Sequence, residues 1–159
     1  MDSSGYYPIH FACFNGESRV IKLLDKYGAR LDVKNSMGLA PIHVAAQADG
    51  AFAITFLHEH GIDVDELDDE GQTPLHWACY RGADVAIYYL LAWTKGINYQ
   101  DKKGRTPLHH AVERIEKYPK LRPLKEMLIK GASRSIKDYD GNKPIDKIPS
   151  SENQDTELK

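Results

Sequence analysis

The chain has 159 residues, 42% of them hydrophobic and 28% charged, with a formal net charge of −2. No apolar run approaches the roughly 20 residues that cross a bilayer, which excludes a membrane-spanning helix. Near-neutrality removes any global reason to expect a nucleic-acid partner, which favours a strongly basic domain or stripe, and no signal peptide is visible.

In chain order the sequence reads as one unit repeated. Residues 2–34 begin with Asp2 and Gly5, and Pro8 then opens a first helix through Ile9 and His10. A second helix follows, with Val20, Leu23 and Leu24 as its apolar stripe and Gly28-Ala29 at its close. Residues 35–67 repeat the frame with Gly38, Pro41 and His43. Residues 68–100 do so with Gly71, Pro74 and His76, and their second helix carries Val85, Leu90 and Leu91. Residues 101–137 bring Gly104, Pro107 and His109, and a partial unit, 138–149, starts its turn at Gly141. The first three glycine intervals are 33 residues and the last is 37. Such self-similarity signals stacked copies of a unit too small to bury its own apolar face.

The residue types suit their positions. Proline lacks an N–H and fixes φ, so it starts a helix, whereas glycine reaches the left-handed conformation that ends one. Thr94 stands where repeat three should have its helix-ending glycine, with Gly96 two residues later, and predicts an unusual turn. The four extra residues of repeat four fall around Glu113 to Pro123, between its two helices, with Pro123 placed to start the second. Residues 150–159 are polar and read as a disordered tail or linker. The abrupt start of repeat one, with Tyr6, Tyr7, Phe11 and Phe14 and no covering neighbour, reads as a fragment cut at a repeat boundary.

The frames GYYPIHFAC, GLAPIHVAA, GQTPLHWAC and GRTPLHHAV, the Asp before the turn glycine at Asp2, Asp68, Asp101 and Asp138, and Ala12, Ala45, Ala78 and Ala111 closely resemble the ankyrin repeat. The resemblance covers residues 2–149 and implies an all-α solenoid. Each repeat is then a β-turn plus two antiparallel helices, with four repeats and a C-terminal half repeat. It also implies that the periodic histidines bridge turns through hydrogen bonds, supported by the preceding threonine, which Thr73 and Thr106 retain.

In that family partners bind a concave groove formed by the turn tips and the ends of the first helices. Carried over residue by residue, the partner-binding positions are Phe14, Asn15, Met37, Leu39, Gln47, Gln72, Trp77, Tyr80, Arg81, Lys103, Arg105, Glu113 and Arg114. Met, Leu, Tyr and Arg suit binding hot spots, with Phe14, Met37, Leu39 and Tyr80 expected to line the groove together. Trp77 is also expected to pack on the neighbouring first helix. The expected occupant is a protein or extended peptide, bound by a monomeric array. Asp63, Asp65, Glu66, Asp68, Asp69 and Glu70 make one connection acidic, while Lys95, Lys102, Lys103 and Arg105 make the next basic. That alternation argues against nucleic acid.

No catalytic residue, cofactor site or metal site is expected. The sequence has no Gly-x-Ser-x-Gly elbow, no phosphate-cradling glycine loop and no His-Glu-x-x-His motif. Cys13 and Cys79 stand a whole repeat apart, too far for a disulfide, and His10-x-x-Cys13 lacks the four converging ligands of structural zinc. Two free thiols suit the reducing cytosol or nucleus. A narrower resemblance lies in PIHVAAQADG, GIDVDELDDEGQTPLHWACYRG and YYLLAW, which look like the ankyrin region of certain DHHC-type palmitoyltransferases. It implies a cytosolic substrate-recruiting module of a membrane-bound parent enzyme, whose Asp-His-His-Cys motif is not in this sequence.

Overall fold

The computed structural model describes residues 2–114 and 121–148. The proposed tail, residues 150–159, and most of the four-residue insertion lie outside them. Among the described residues eight helices follow in chain order: α1 (Pro8–Phe14), α2 (Ser18–Lys26), α3 (Pro41–Gln47), α4 (Ala51–Glu59), α5 (Pro74–Arg81), α6 (Asp84–Trp93), α7 (Pro107–Glu113) and α8 (Leu121–Ile129). A 3₁₀ turn, Pro144–Lys147, follows. The odd-numbered helices pack in one row that this turn extends, and the even-numbered helices form a second row. This is the expected all-α solenoid. No helix among the described residues is long and apolar enough to cross a membrane.

Proline occupies the first position of α1, α3, α5 and α7, where no N–H partner is needed. Pro123 differs from expectation: it does not start the second helix of repeat four, because Leu121 and Arg122 before it are already helical. Between the rows, Ile9, Ile21, Ile42, Ile54, Leu57, Leu75, Leu90 and Met127 are fully buried. Each such side chain contributes about 1.5–3 kcal/mol by leaving water. Ala12, Ala45 and Ala78, also buried, let neighbouring first helices approach closely. The expected stripe of second-helix residues needs correction, because Val20, Leu23 and Val85 are exposed. Val85 turns instead into a cleft between α6 and α8.

Two hydrogen-bond series stitch each repeat to the next. At the turn tips, the N–H groups of Ser36, Asp69, Lys102 and Tyr139 donate to the carbonyls of Ser4, Met37, Glu70 and Lys103, at 3.4, 3.1, 2.9 and 3.0 Å. Deeper in, Nδ1 of His10, His43, His76 and His109 accepts the backbone N–H of Tyr7, Ala40, Thr73 and Thr106 at 3.0–3.1 Å. Nε2 of the same rings donates to carbonyls of the following repeat, Leu39, Gln72, Arg105 and Asn142, at 2.9, 3.2, 3.1 and 3.1 Å. Carbonyls only accept, so these rings are neutral with the proton on Nε2. The hydroxyls of Thr73 and Thr106 add a donor to Nδ1 at 2.9 Å, as the resemblance implied.

Desolvation lowers the pKa of all four histidines, and that of His76 falls to about 3. Both cysteines are free and buried, and burial alone pushes the Cys13 thiol up to about 12.

Candidate functional site

The ends of three successive first helices converge on one cleft of about 430 Å³. Gln47, Ala48 and Asp49 come from the end of α3, Tyr80, Arg81, Gly82 and Ala83 from the α5–α6 junction, and Arg114 from the end of α7. Four predicted partner-binding residues therefore share a site: Gln47, Tyr80, Arg81 and Arg114. The Arg114 guanidinium lies 4.2 Å from the centre of the Tyr80 ring, a cation–π contact. Tyr80 also meets Trp77 and His110 edge-to-face, each at 6.1 Å between centroids.

Asp49 belongs to this cleft and was not anticipated. Its φ of +58° makes it the non-glycine residue in the left-handed region among those described. One period away on either side stand Gly16 and Gly82, both at φ +68°. The spacing was the available signal, since glycine and aspartate are both tolerant of this conformation. The aspartate has a use that glycine lacks. Its Oδ1 accepts the N–H of Ala86 at 2.7 Å, capping α6 across the repeat boundary, where the local cap residue Ala83 has no side-chain acceptor.

Other predicted residues stand elsewhere. Phe14, Asn15, Met37, Lys103 and Glu113 are exposed but do not line this cleft. Leu39 was expected to face the groove, yet only 1% of it is accessible, because it packs under the preceding repeat beside the carbonyl held by His10. Gln72 and Arg105 were expected to meet a partner, but both are engaged by Asp101. Gln72 Nε2 donates to Asp101 Oδ2 at 3.2 Å, and Arg105 donates to the same oxygen from Nε at 3.1 Å and Nη2 at 3.0 Å.

That arrangement belongs to a pattern that recurs along the chain and that no local motif signals. The first residue of each frame, Asp2, Asn35, Asp68, Asp101 or Asp138, uses Oδ1 to accept N–H groups from its own turn. In the last three frames Oδ2 takes a donor from the residue nine positions on. Trp77 Nε1 binds Asp68 at 2.8 Å, His110 Nε2 reaches Asp101 at 3.4 Å, and Lys147 Nζ binds Asp138 at 2.9 Å. The Trp77 indole N–H is thus held by the turn of its own repeat, a partner the sequence did not suggest. Repeat two has Val44 at the donor position, and there the turn residue is neutral Asn35, whose buried Nδ2 lacks a partner. An aspartate would leave a buried charge unpaired, a larger cost.

These contacts shift two carboxyls. Desolvation opposes it, but hydrogen bonds from His110, the Arg105 N–H and Gln72 hold Asp101 well below the ordinary carboxylate range. Asp138 falls to about 2, as Lys147 and Asn142 outweigh desolvation. Much of the acidic connection is likewise used internally. Asp65 accepts the Thr94 hydroxyl and the Lys95 N–H (2.8 Å), and Glu66 pairs with Lys34 at 2.6 Å. Asp65 thereby holds the unusual turn that Thr94 and Gly96 foretold. A side chain at Gly96 would collide with the Tyr99 ring, 1.9 Å from the site of its Cβ.

A larger cleft, about 570 Å³, lies between α6 and α8, lined by Asp84, Val85, Ile87, Tyr88, Arg122, Pro123 and Glu126. It contains none of the predicted partner-binding residues.

A family model described as ankyrin repeats, in three copies, matches residues 1–68 and again residues 43–138. Comparison with curated proteins gives no match.

Proposed function

Since the chain belongs to the ankyrin-repeat family, whose repeats are generally non-catalytic protein–protein interaction modules, we propose that it binds a partner protein or extended peptide across the ends of its first helices. The observation that carries this reading is the cleft of Gln47, Asp49, Tyr80, Arg81 and Arg114. It spans three repeats and combines a partly exposed tyrosine with two arginines, the residue types that dominate binding energy. The periodic histidines support a non-catalytic role, because both ring nitrogens of each are committed to the backbone.

The array acts as a monomer in a reducing compartment, cytosol or nucleus, a placement supported by its two free buried thiols. The narrower reading, a recruiting domain of a DHHC-type palmitoyltransferase, has no support in the comparisons. The sequence of the parent protein tests it through the presence or absence of an Asp-His-His-Cys segment with transmembrane spans. The binding surface itself is tested by hydrogen exchange with a captured partner. Protection is expected at residues 47–50 and 80–83, and protection confined to 84–88 and 122–126 would move the site to the other cleft.

A further inference from the structure

We infer that the segment occupying this cleft is acidic, with carboxylate side chains paired to Arg81 and Arg114; the inference rests on the binding surface proposed above and specifies its ligand. Within the described residues neither Arg81 nor Arg114 forms an ion pair, and the side-chain contact of Arg114 there is with the Tyr80 ring. Two guanidinium groups from successive repeats therefore line one cleft with a single carboxylate among the described lining residues, which leaves the cleft with an excess of positive charge. That carboxylate, Asp49, is held by the Ala86 N–H and can offset one of the two positive charges, not both. Glu113 is exposed next to Arg114 in sequence but is not part of the cleft wall.

The geometry favours a carboxylate over a generic anion cloud. A guanidinium presents paired N–H donors that match the two oxygens of a carboxylate, and the Tyr80 ring, 4.2 Å from the Arg114 guanidinium carbon, restrains that side chain before a ligand arrives. Preorganisation of this kind reduces the side-chain entropy lost on binding. Gln47 supplies an amide at the other wall, suited to a peptide backbone group. Phosphate could meet the same donors, but Asp69 and Glu70 at the tip of the same repeat would repel a continuous nucleic-acid backbone.

The test uses three capped decapeptides, rich in Glu, in Gln or in Lys, and a thymidine decanucleotide, each titrated into the ¹⁵N-labelled chain. The Nε–H resonances of Arg81 and Arg114 are followed. The Glu peptide should shift both resonances, with affinity falling at high salt, and the Gln and Lys peptides should leave them in place. The Arg81→Gln and Arg114→Gln variants should each weaken Glu-peptide binding about tenfold, with Lys26→Gln as the unaffected control. Equal shifts with the Gln peptide would overturn the acidic ligand while leaving a partner groove intact. Shifts only with the oligonucleotide, or Glu-peptide binding indifferent to both arginine variants, would also overturn it. So would no perturbation at the cleft by any probe, and hydrogen exchange with the captured partner decides separately whether the surface binds protein.

Discussion

Asp49 is the residue where sequence frame and structure diverge most usefully. Holding a side chain at φ +58° costs of order 1 kcal/mol, and the Ala86 cap offsets it. Asp49→Ala keeps the strain and loses the cap, so it should destabilise the chain by about 1–2 kcal/mol. Asp49→Gly loses the cap but relieves the strain and should cost well under about 1 kcal/mol. Urea denaturation orders the two, and an alanine variant as stable as the parent would remove the capping role. The charged tip is a second such case. Lys103→Glu leaves internal pairs intact and should act on association rate alone. Arg105→Glu sets a carboxylate against buried Asp101 and should lower stability by about 2 kcal/mol or more, read as a fall in Tm. Equal stability of the two variants would contradict the engagement of Arg105.

At the scale of the element, the histidine series makes the stack sensitive to acid. In the unfolded chain these groups titrate near 6.5, and folding lowers each, with His76 reaching about 3. The unfolded state therefore binds more protons below pH 6.5. The stability these rings contribute is full above that value and declines as pH falls toward their folded values. His76 alone should lose about 2 kcal/mol by pH 5. Asp138, depressed from 3.8 to about 2, acts in the same direction but only at lower pH. Urea midpoints between pH 7.5 and 4.5 check this, with a smaller slope expected for His76→Asn; a flat profile would contradict neutral, buried rings.

These helices were legible beforehand because proline, glycine and the 33-residue period encode them locally. The links between repeats were legible only where the motif carries them. The pairing of Trp77 with Asp68 and of His110 with Asp101 depends on a turn residue meeting a side chain nine positions later. Leu39 looked like a tip residue by position, and only the stacking of repeat one over it explains its burial.

In the whole molecule, the proposed recognition surface lies on the first-helix ends, whereas stability resides in the stitched turns and the core between the rows. Two tyrosines separate that assignment from its rival. Tyr80 is 39% exposed in the proposed cleft, and Tyr88 is 61% exposed in the larger cleft between α6 and α8. Neither is buried in the core, so alanine at each should leave the array folded. Titration calorimetry of a captured partner fragment against the two variants decides between the two clefts. Tyr80→Ala should weaken binding by about 1 kcal/mol or more, with Tyr88→Ala unchanged. Full affinity for Tyr80→Ala together with loss for Tyr88→Ala would place the partner on the opposite row of helices.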